Sequence, residues 1–461
     1  MKHIFHLGRI PALSVAEIQA IFKKIEIDYN VNFVSSKVLI LDIKNKIDFS
    51  DLLPQMGGTI KIAEVLGEYK NLNGALEKAA SFVEELNRKK PGKKIIGYSI
   101  YFTQNKNKNK APEILEKTRK KFVEIKKSCP ENSSVRIIFP NKNMELKSVS
   151  VFKNKIIKKG AEFNFLFLPP LTPQPPSIPP YQREGKETIH PLSGEEHISP
   201  SDKEEFFFSP PDKGGLGGVI LSKTTAIQDI ESYSSRDYDR PGKNAKIGII
   251  PPKLAQIMIN LAQIKKGEVI LDPFCGIGTI LQEALLNDYK VIGSDANGDQ
   301  VANSKKNLEW ISKKYILKYP DYKIFQSDTR SIIKKIKCNS VDAIVTESTL
   351  GPIYEKVPSQ AEIRHNYNRF VKMYAGFFQI AKLILRKRRR IVITIPAYKM
   401  KDGKYITAPF IDRLEKIGYS VVSLLNREFI TKDIKITDRN SIIYDRPNQI
   451  VAREVIVFEN K

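Results

Sequence analysis

The amino-acid sequence predicts an α/β protein whose C-terminal half is a doubly wound, mostly parallel sheet with an antiparallel edge, preceded by an α+β region. Three observations carry this prediction. After residue 222, short apolar runs alternate regularly with helical stretches, the pattern of parallel strands joined by helical crossovers. Before residue 166, strand-like and helix-like runs follow one another without the glycine fingerprint of a βαβ unit, which suits one or two small α+β modules. Between them, residues 169–211 hold 11 of the 27 prolines, and the stretch closes on Gly214-Gly215-Leu216-Gly217-Gly218. Such a composition cannot sustain helix or ladder hydrogen bonds. The chain of 461 residues is long enough for two cores. It divides into an α+β region over 1–165, a flexible Pro/Gly-rich linker or insertion over 166–222, and the doubly wound domain over 223–461.

The elements follow in order. Val38–Leu41, Ile95–Ile100 and Val135–Phe139 are rich in β-branched and aromatic residues and predict strands. Apolar spacing predicts helices over Leu13–Ile25 and Ala75–Leu86, with Ser14 and Asn73 as N-caps. Phe206-Phe207-Phe208 falls inside the linker and receives no role. Pro251 and Pro252 suit the first positions of a helix, where a missing N–H costs nothing, and Leu254, Ile257, Met258 and Leu261 form its buried stripe. Strands are expected at Glu268–Leu271, Lys290–Ser294, Lys323–Gln326, Asp342–Val345 and Arg390–Ile395, with helices between them. Tyr367, Phe370, Tyr374 and Phe377 recur at helical spacing and read as a core stripe. Ser420–Leu425 and Glu454–Phe458 supply the antiparallel edge.

Composition narrows the function classes. Seventy-six Lys+Arg against 51 Asp+Glu leave a net charge of +25, which attracts polyanions in a salt-dependent manner but does not by itself select nucleic acid. The basic runs Lys106–Lys110 and Arg386–Arg390 read as a solvated loop and a helix end, or as phosphate contacts. Cys129, Cys275 and Cys338 lie too far apart for a disulfide framework, and the five histidines show no metal-ligand spacing with them. No metal is expected. With neither a signal peptide nor an apolar run of membrane-spanning length, the sequence predicts a soluble cytoplasmic protein.

The stretch Val269-Ile270-Leu271-Asp272-Pro273-Phe274-Cys275-Gly276-Ile277-Gly278-Thr279-Ile280 carries the chemistry. An apolar strand runs into an acid, then a Gly-x-Gly turn, then a helix, and glycines let backbone approach a ligand closely. The turn lacks the third glycine of a dinucleotide fingerprint. Asp295 ends the second strand, where a carboxylate accepts both hydroxyls of a ribose, and Asp328 follows the third, in reach of an adenine amine. Each also reads as a helix N-cap.

That segment resembles the cofactor motif of S-adenosylmethionine-dependent amino-methyltransferases. Together with Ser235–Pro241, Ile249–Met258 and the opening Leu7–Ile18, it is similar to the THUMP-associated family of tRNA guanine-N2-methyltransferases. The resemblance implies a Rossmann-like methyltransferase domain after a ferredoxin-like and THUMP-like half that grips tRNA. It implies S-adenosyl-L-methionine held by Asp272, Phe274, Gly276, Gly278, Thr279, Asp295, Ala296, Asp328 and Thr329. Arg236, Asp237 and Arg240 either touch that cofactor or tie the linker to the core.

Asp342–Pro352 occupies the place of the family's acceptor motif, an acid or amide followed by Pro-Pro and an aromatic. Glu347 holds the acidic position, and Ser348 and Thr349 replace a proline and the aromatic. Glu347 and the Ser348 carbonyl are the candidate catalytic acceptors, while a stacking face is missing unless Tyr354 supplies one. The expected activity is methyl transfer to the N2 amine of a guanosine in tRNA. The alternatives are a DNA amino-methyltransferase, or a weakened tRNA-binding scaffold needing a partner. A small activator subunit is a further possible partner.

Overall fold

The computed structural model describes residues 1–69, 72–89, 94–97, 99–100, 120, 124, 135–138, 206–209, 219–243, 249–352, 354–447 and 449–461. Most of the expected linker and the run Lys106–Lys110 lie outside the described residues. Among those described, no helix is long and apolar enough to cross a membrane. The chain forms two compact units, one of residues 1–4 and 61–227, the other of residues 5–60 and 228–461. This grouping differs from the expected division, because residues 5–60 cluster with the C-terminal part.

The elements run β1 (Lys2–Leu7), α1 (Pro11–Lys24), β2 (Tyr29–Val34), β3 (Val38–Ile43), α2 (Phe49–Leu52), β4 (Thr59–Tyr69) and α3 (Leu72–Lys89). Next come β5 (Lys94–Gly97), β6 (Ser99–Ile100), β7 (Val135–Ile138), β8 (Phe206–Ser209) and β9 (Val219–Ile227). In the first unit β4 pairs antiparallel with β9 from Lys61↔Ile227 to Tyr69↔Val219, and α3 buries Ala75, Leu76 and Ala79. The triple phenylalanine expected to lie idle in a linker is instead strand β8, antiparallel to β9, as its β propensity allows. Asn73 is not a cap, since α3 already begins at Leu72.

In the second unit Pro11 opens α1, the N-cap is Ile10, and Ser14 lies within the helix rather than before it. The Ser14 hydroxyl has other work, donating to Gly58 O at 2.6 Å and accepting from Gly8 N at 3.1 Å. The apolar face of α1 buries Leu13, Ile18, Ile21 and Phe22, and Phe5 meets both Phe22 and Phe49 edge-on. A polar clasp explains why these residues group with the C-terminal part. The buried Glu17 accepts from Gly57 N, Gly58 N and Asn260 Nδ2 at 2.7–2.8 Å. Burial pushes its carboxyl up to about 7, with those three donors pulling the other way. A Cβ at Gly57 would lie 2.1 Å from Lys253 O, so only glycine lets this loop pass so close to the next helix.

The rest of the second unit comprises α4 (Ile230–Tyr238), α5 (Pro252–Leu261), β10 (Val269–Asp272), α6 (Thr279–Leu286), β11 (Lys290–Asp295), α7 (Gly298–Lys314), β12 (Tyr322–Gln326) and β13 (Val341–Glu347). It ends with α8 (Gln360–Ile384), β14 (Leu385–Lys399), β15 (Tyr405–Thr407), α9 (Ile411–Lys416), β16 (Tyr419–Val421), β17 (Ile442–Tyr444) and β18 (Val451–Asn460). The sheet order is β12-β11-β10-β13-β14-β18-β16, with β15 on β14 and β17 on β18. Strands β10 to β14 pair in parallel and β18 is antiparallel to β14 and β16. This is the expected Rossmann-like, doubly wound sheet with an antiparallel edge.

Tyr367, Phe370, Tyr374 and Phe377 are buried against Leu271, Ile344, Ile391 and Ile393, as a core stripe should be. The run Arg386–Arg390 does not end a helix, because α8 stops at Ile384 and β14 starts at once. Its cations are held by nearby acids: Arg386 pairs with Asp342, and Arg389 with Glu268 and Asp342.

Candidate active site

Strand β10 sits centrally, and its last residue delivers Asp272 to the carboxyl edge of the sheet. The Asp272 side chain is buried, accepts from Thr346 Oγ1 at 2.6 Å and from Phe274 N at 3.2 Å. Burial above all pushes its carboxyl up to about 7, and the charges of Asp295 and Glu347 add to that. Asp272 therefore braces the loop from beneath.

The loop turns through two left-handed glycines, Gly276 with φ +51 and Gly278 with φ +82. Gly278 is the N-cap of α6, and a Cβ there would come within 2.4 Å of Ser304 Oγ. Nothing lies within 4 Å of a Cβ built on Gly276, so that peptide faces open space. The loop is tied to β11 by Cys275 N donating to Ser294 O at 2.9 Å and Gly276 N donating to Asp295 Oδ2 at 3.0 Å. Asp295 Oδ1 accepts from Asn297 N at 2.9 Å. Asp328 Oδ1 accepts from Arg330 N at 2.7 Å and Ser331 N at 3.2 Å, which holds its carboxyl below the usual range. Both acids thus organise their own turns, and both also face a cavity.

That cavity has a volume of about 410 Å³, within the range of a small-molecule site. Of the residues expected to hold a cofactor, it brings together Phe274, Asp295, Ala296, Asp328 and Thr329. It adds Pro273, Ser327, Arg330, Lys372 and Met373, which sequence reading did not single out. Asp272, Gly276, Gly278 and Thr279 do not line it; they shape the loop that does. The Thr279 hydroxyl accepts from the buried Arg240 at 2.7 Å. Arg236 forms a two-pronged buried pair with Glu283, at 2.6 and 3.1 Å, which ties α4 to α6. The contacts of these two arginines therefore run to the core.

Glu347 ends β13 with its side chain 13% exposed, and the buried Arg453 of β18 pairs with it. Thr394 Oγ1 also reaches Glu347 Oε1, at 3.4 Å. The buried Ser348 hydroxyl donates to Thr394 O at 2.8 Å and meets Tyr374 Oη at 2.7 Å. Neither Glu347 nor Ser348 lines the cavity. Tyr354 is half-buried, accepts from Asn366 and meets Tyr398 edge-on, so its ring is braced against α8 and β14. Arg453 and Thr346 were missed from sequence. The available signal for Arg453 was a charged pair, Arg453-Glu454, directly before the apolar run Val455–Phe458.

Comparison with known proteins bears on this arrangement. Residues 240–403 match a family model described as an RMKL-like methyltransferase domain, and residues 87–306 match one described as DNA methylase. The tRNA (guanine(10)-N2)-dimethyltransferase of Methanothermobacter thermautotrophicus is 32% identical over 180 residues, 39% of this chain and 48% of that protein. Its counterpart in Methanocaldococcus jannaschii is 36% identical over 141 residues, 29% of this chain and 39% of that one. The matched residues carry a methyltransferase domain. Those relatives carry the activity of the family that the sequence resembles. A shorter match, 41% identical over 58 residues and 12% of each chain, is to the human U6 snRNA (guanine-N(2))-methyltransferase THUMPD2. The chain spans about half or less of the length of each of these relatives. The residues present fit the cofactor that the resemblance implies: the cavity lies at the carboxyl ends of adjacent parallel strands, carries two carboxylates and an aromatic ring, and adjoins a glycine turn.

Proposed function

We propose that this chain is an S-adenosylmethionine-dependent RNA methyltransferase acting on the exocyclic N2 amine of a guanosine in tRNA. The observation that carries this reading is the cavity that gathers Phe274, Asp295 and Asp328 beside the glycine turn. Asp295 would accept hydrogen bonds from the ribose hydroxyls of the cofactor, Asp328 one from its adenine amine, and Phe274 would cover an apolar part of it. When bound, S-adenosylmethionine supplies an electrophilic methyl group. The guanine amine is a poor nucleophile, because its lone pair is delocalised into the ring. Glu347 and the Ser348 carbonyl accept hydrogen bonds from that amine and stabilise the positive charge that grows on it during attack. One such preorganised contact is worth about 3 kcal/mol.

The absence of an aromatic at Ser348, Thr349 and Leu350 removes a stacking partner worth about 1–3 kcal/mol. That slows an enzyme roughly 5- to 150-fold without silencing it. In this reading residues 1–165 hold the tRNA, and a small activator subunit completes the assembly. The compartment in this reading is the cytoplasm.

Mass spectrometry of nucleosides from unmodified tRNA, incubated with the protein and labelled cofactor, tests the proposal. N2-methylguanosine is the expected product. The match to a DNA methylase model makes duplex DNA the control substrate, and methylation of DNA in preference to tRNA would overturn the RNA reading. Cofactor binding without turnover on any unmodified tRNA would instead identify a scaffold.

A further inference from the structure

We propose that Arg453 is a positioning residue for methyl transfer, its buried guanidinium fixing the orientation of the Glu347 carboxylate that receives the target amine. This inference rests on the reading of Glu347 as an acceptor. It goes further in assigning a function to a strand outside both the cofactor loop and the acceptor motif.

The sheet register brings the two residues together. Glu347 is paired with Thr394, and Arg453 with Pro396, two residues further along β14. Side chains of directly opposed residues share a face, and so do residues two apart on one strand. The Arg453 side chain therefore lies on the Glu347 face and crosses β14 to reach it. Arg453 Nε donates to Glu347 Oε1 and Nη2 approaches Oε2 at 3.4 Å, so both oxygens feel the guanidinium. Nη2 also lies 3.5 Å from Ile249 O, and Thr394 Oγ1 adds a neutral donor to Oε1. Arg453 is only 2% exposed, which keeps its planar head in one orientation.

Charge gives a second reason. Asp272 and Asp295 stand close enough for the charges of Asp295 and Glu347 both to disfavour ionisation of Asp272. A carboxylate that must accept hydrogen bonds and balance a developing cation is best served by a counter-ion held in one place. Among the described residues, Arg453 is the cation paired with Glu347. A buried ion pair on its own is weak evidence for stability, since apolar replacements of both partners are often neutral or better. A functional need for a well-oriented carboxylate explains why a guanidinium is buried on β18.

A double-mutant cycle on the full chain tests the assignment. Methyl transfer to bulk unmodified tRNA is measured for wild type, Arg453→Gln, Arg453→Lys, Glu347→Gln and the Arg453→Gln/Glu347→Gln double variant. Cofactor titration and thermal melting accompany each. The expected result is that Arg453→Gln lowers kcat by about 30-fold or more, with KM for the cofactor within about threefold of wild type. Arg453→Lys, which keeps the charge but not the fork, falls between the two. In the Glu347→Gln background, Arg453→Gln adds less than about threefold, because the partner it positions is already gone. Equal losses in both backgrounds would overturn the inference. Should Arg453→Gln fail to fold, Arg453→Lys decides: a lowered kcat at unchanged melting temperature supports the assignment, and wild-type kcat refutes it. Absence of methyl transfer by the wild type removes the proposed function and this inference together. An active wild type with an additive cycle removes this inference alone.

Discussion

Replacing Gly276 and Gly278 with alanine, one at a time, separates backbone strain from steric overlap within one loop. Both residues are left-handed, at φ +51 and +82, so each alanine incurs about 1–2 kcal/mol for that conformation. At Gly276 the new methyl meets nothing within 4 Å, and the loss should stop there. At Gly278 it comes within 2.4 Å of Ser304 Oγ and 3.3 Å of Ser304 Cβ. Ser304 is fully buried, so the hydroxyl has little room to turn, and overpacking of this kind adds about 1–3 kcal/mol. Gly278→Ala should therefore be the less stable variant by about 1–3 kcal/mol in urea unfolding followed by circular dichroism. Cofactor affinity should show the opposite emphasis. Gly276→Ala puts its methyl into the open space beside the loop and should weaken binding while losing only about 1–2 kcal/mol to backbone strain. Equal stability losses, or undiminished cofactor affinity in Gly276→Ala, would refute this reasoning.

Three further outcomes are expected. Asp295→Ala removes the partner of Gly276 N together with the proposed ribose acceptor, and should weaken S-adenosylmethionine binding by roughly tenfold or more in calorimetric titration, since bonds to charged groups contribute about 1.5–3 kcal/mol each; wild-type affinity would contradict the assignment. Arg236→Met leaves Glu283 buried without its cation and should cost about 3–5 kcal/mol, whereas Arg236→Met with Glu283→Leu should recover most of that loss. Equal losses in the single and double variants would show that the pair is not the cause.

The last outcome concerns pH. Burial raises Glu17 from 4.5 and Asp272 from 3.8, each to about 7. Between those limits the folded chain holds protons that the unfolded chain releases. The contribution of these two acids to stability is thus full below the unfolded values, falls as pH rises to about 7, and is level above it. Melting temperatures at pH 5 and pH 8 should differ less in Glu17→Gln than in wild type, and an unchanged difference would sink the argument.

The sheet was legible because its strands are short apolar runs ending at acids and glycines, and each expected strand has its counterpart, from β10 to β18. The cavity was legible for a related reason: Phe274, Asp295 and Asp328 each follow a strand end, and parallel strands carry their carboxyl ends to one edge. Contacts between residues far apart in the chain were not legible. Ser14 has the residue type of a cap, yet its hydroxyl is engaged by Gly8 and Gly58, a demand that local pattern does not encode. The basic run before Ile391 looked like a helix end because arginines commonly finish helices; acids at Glu268 and Asp342, contributed by the adjoining strand region, claim it instead. Phe206–Phe208 was discounted because its proline-rich surroundings outweighed its own β propensity, whereas β9 gives it a partner. Arg453 finds Glu347 across an intervening strand, a relation set by register alone.

The glutamate clasp of the first helix has a practical corollary for anyone dissecting this protein. Glu17 and the peptides at positions 55–58 satisfy Asn260, Gln256, Gln228 and Tyr233, all of which a fragment starting near residue 223 would retain while losing every one of those counterparts. Expressed alone, such a fragment would expose a row of amide side chains and the apolar flank of α5 beside them, and would be prone to precipitate. Subcloning at the proline-rich boundary would thus cut through a folding unit, and a soluble catalytic piece needs the opening sixty residues supplied with it.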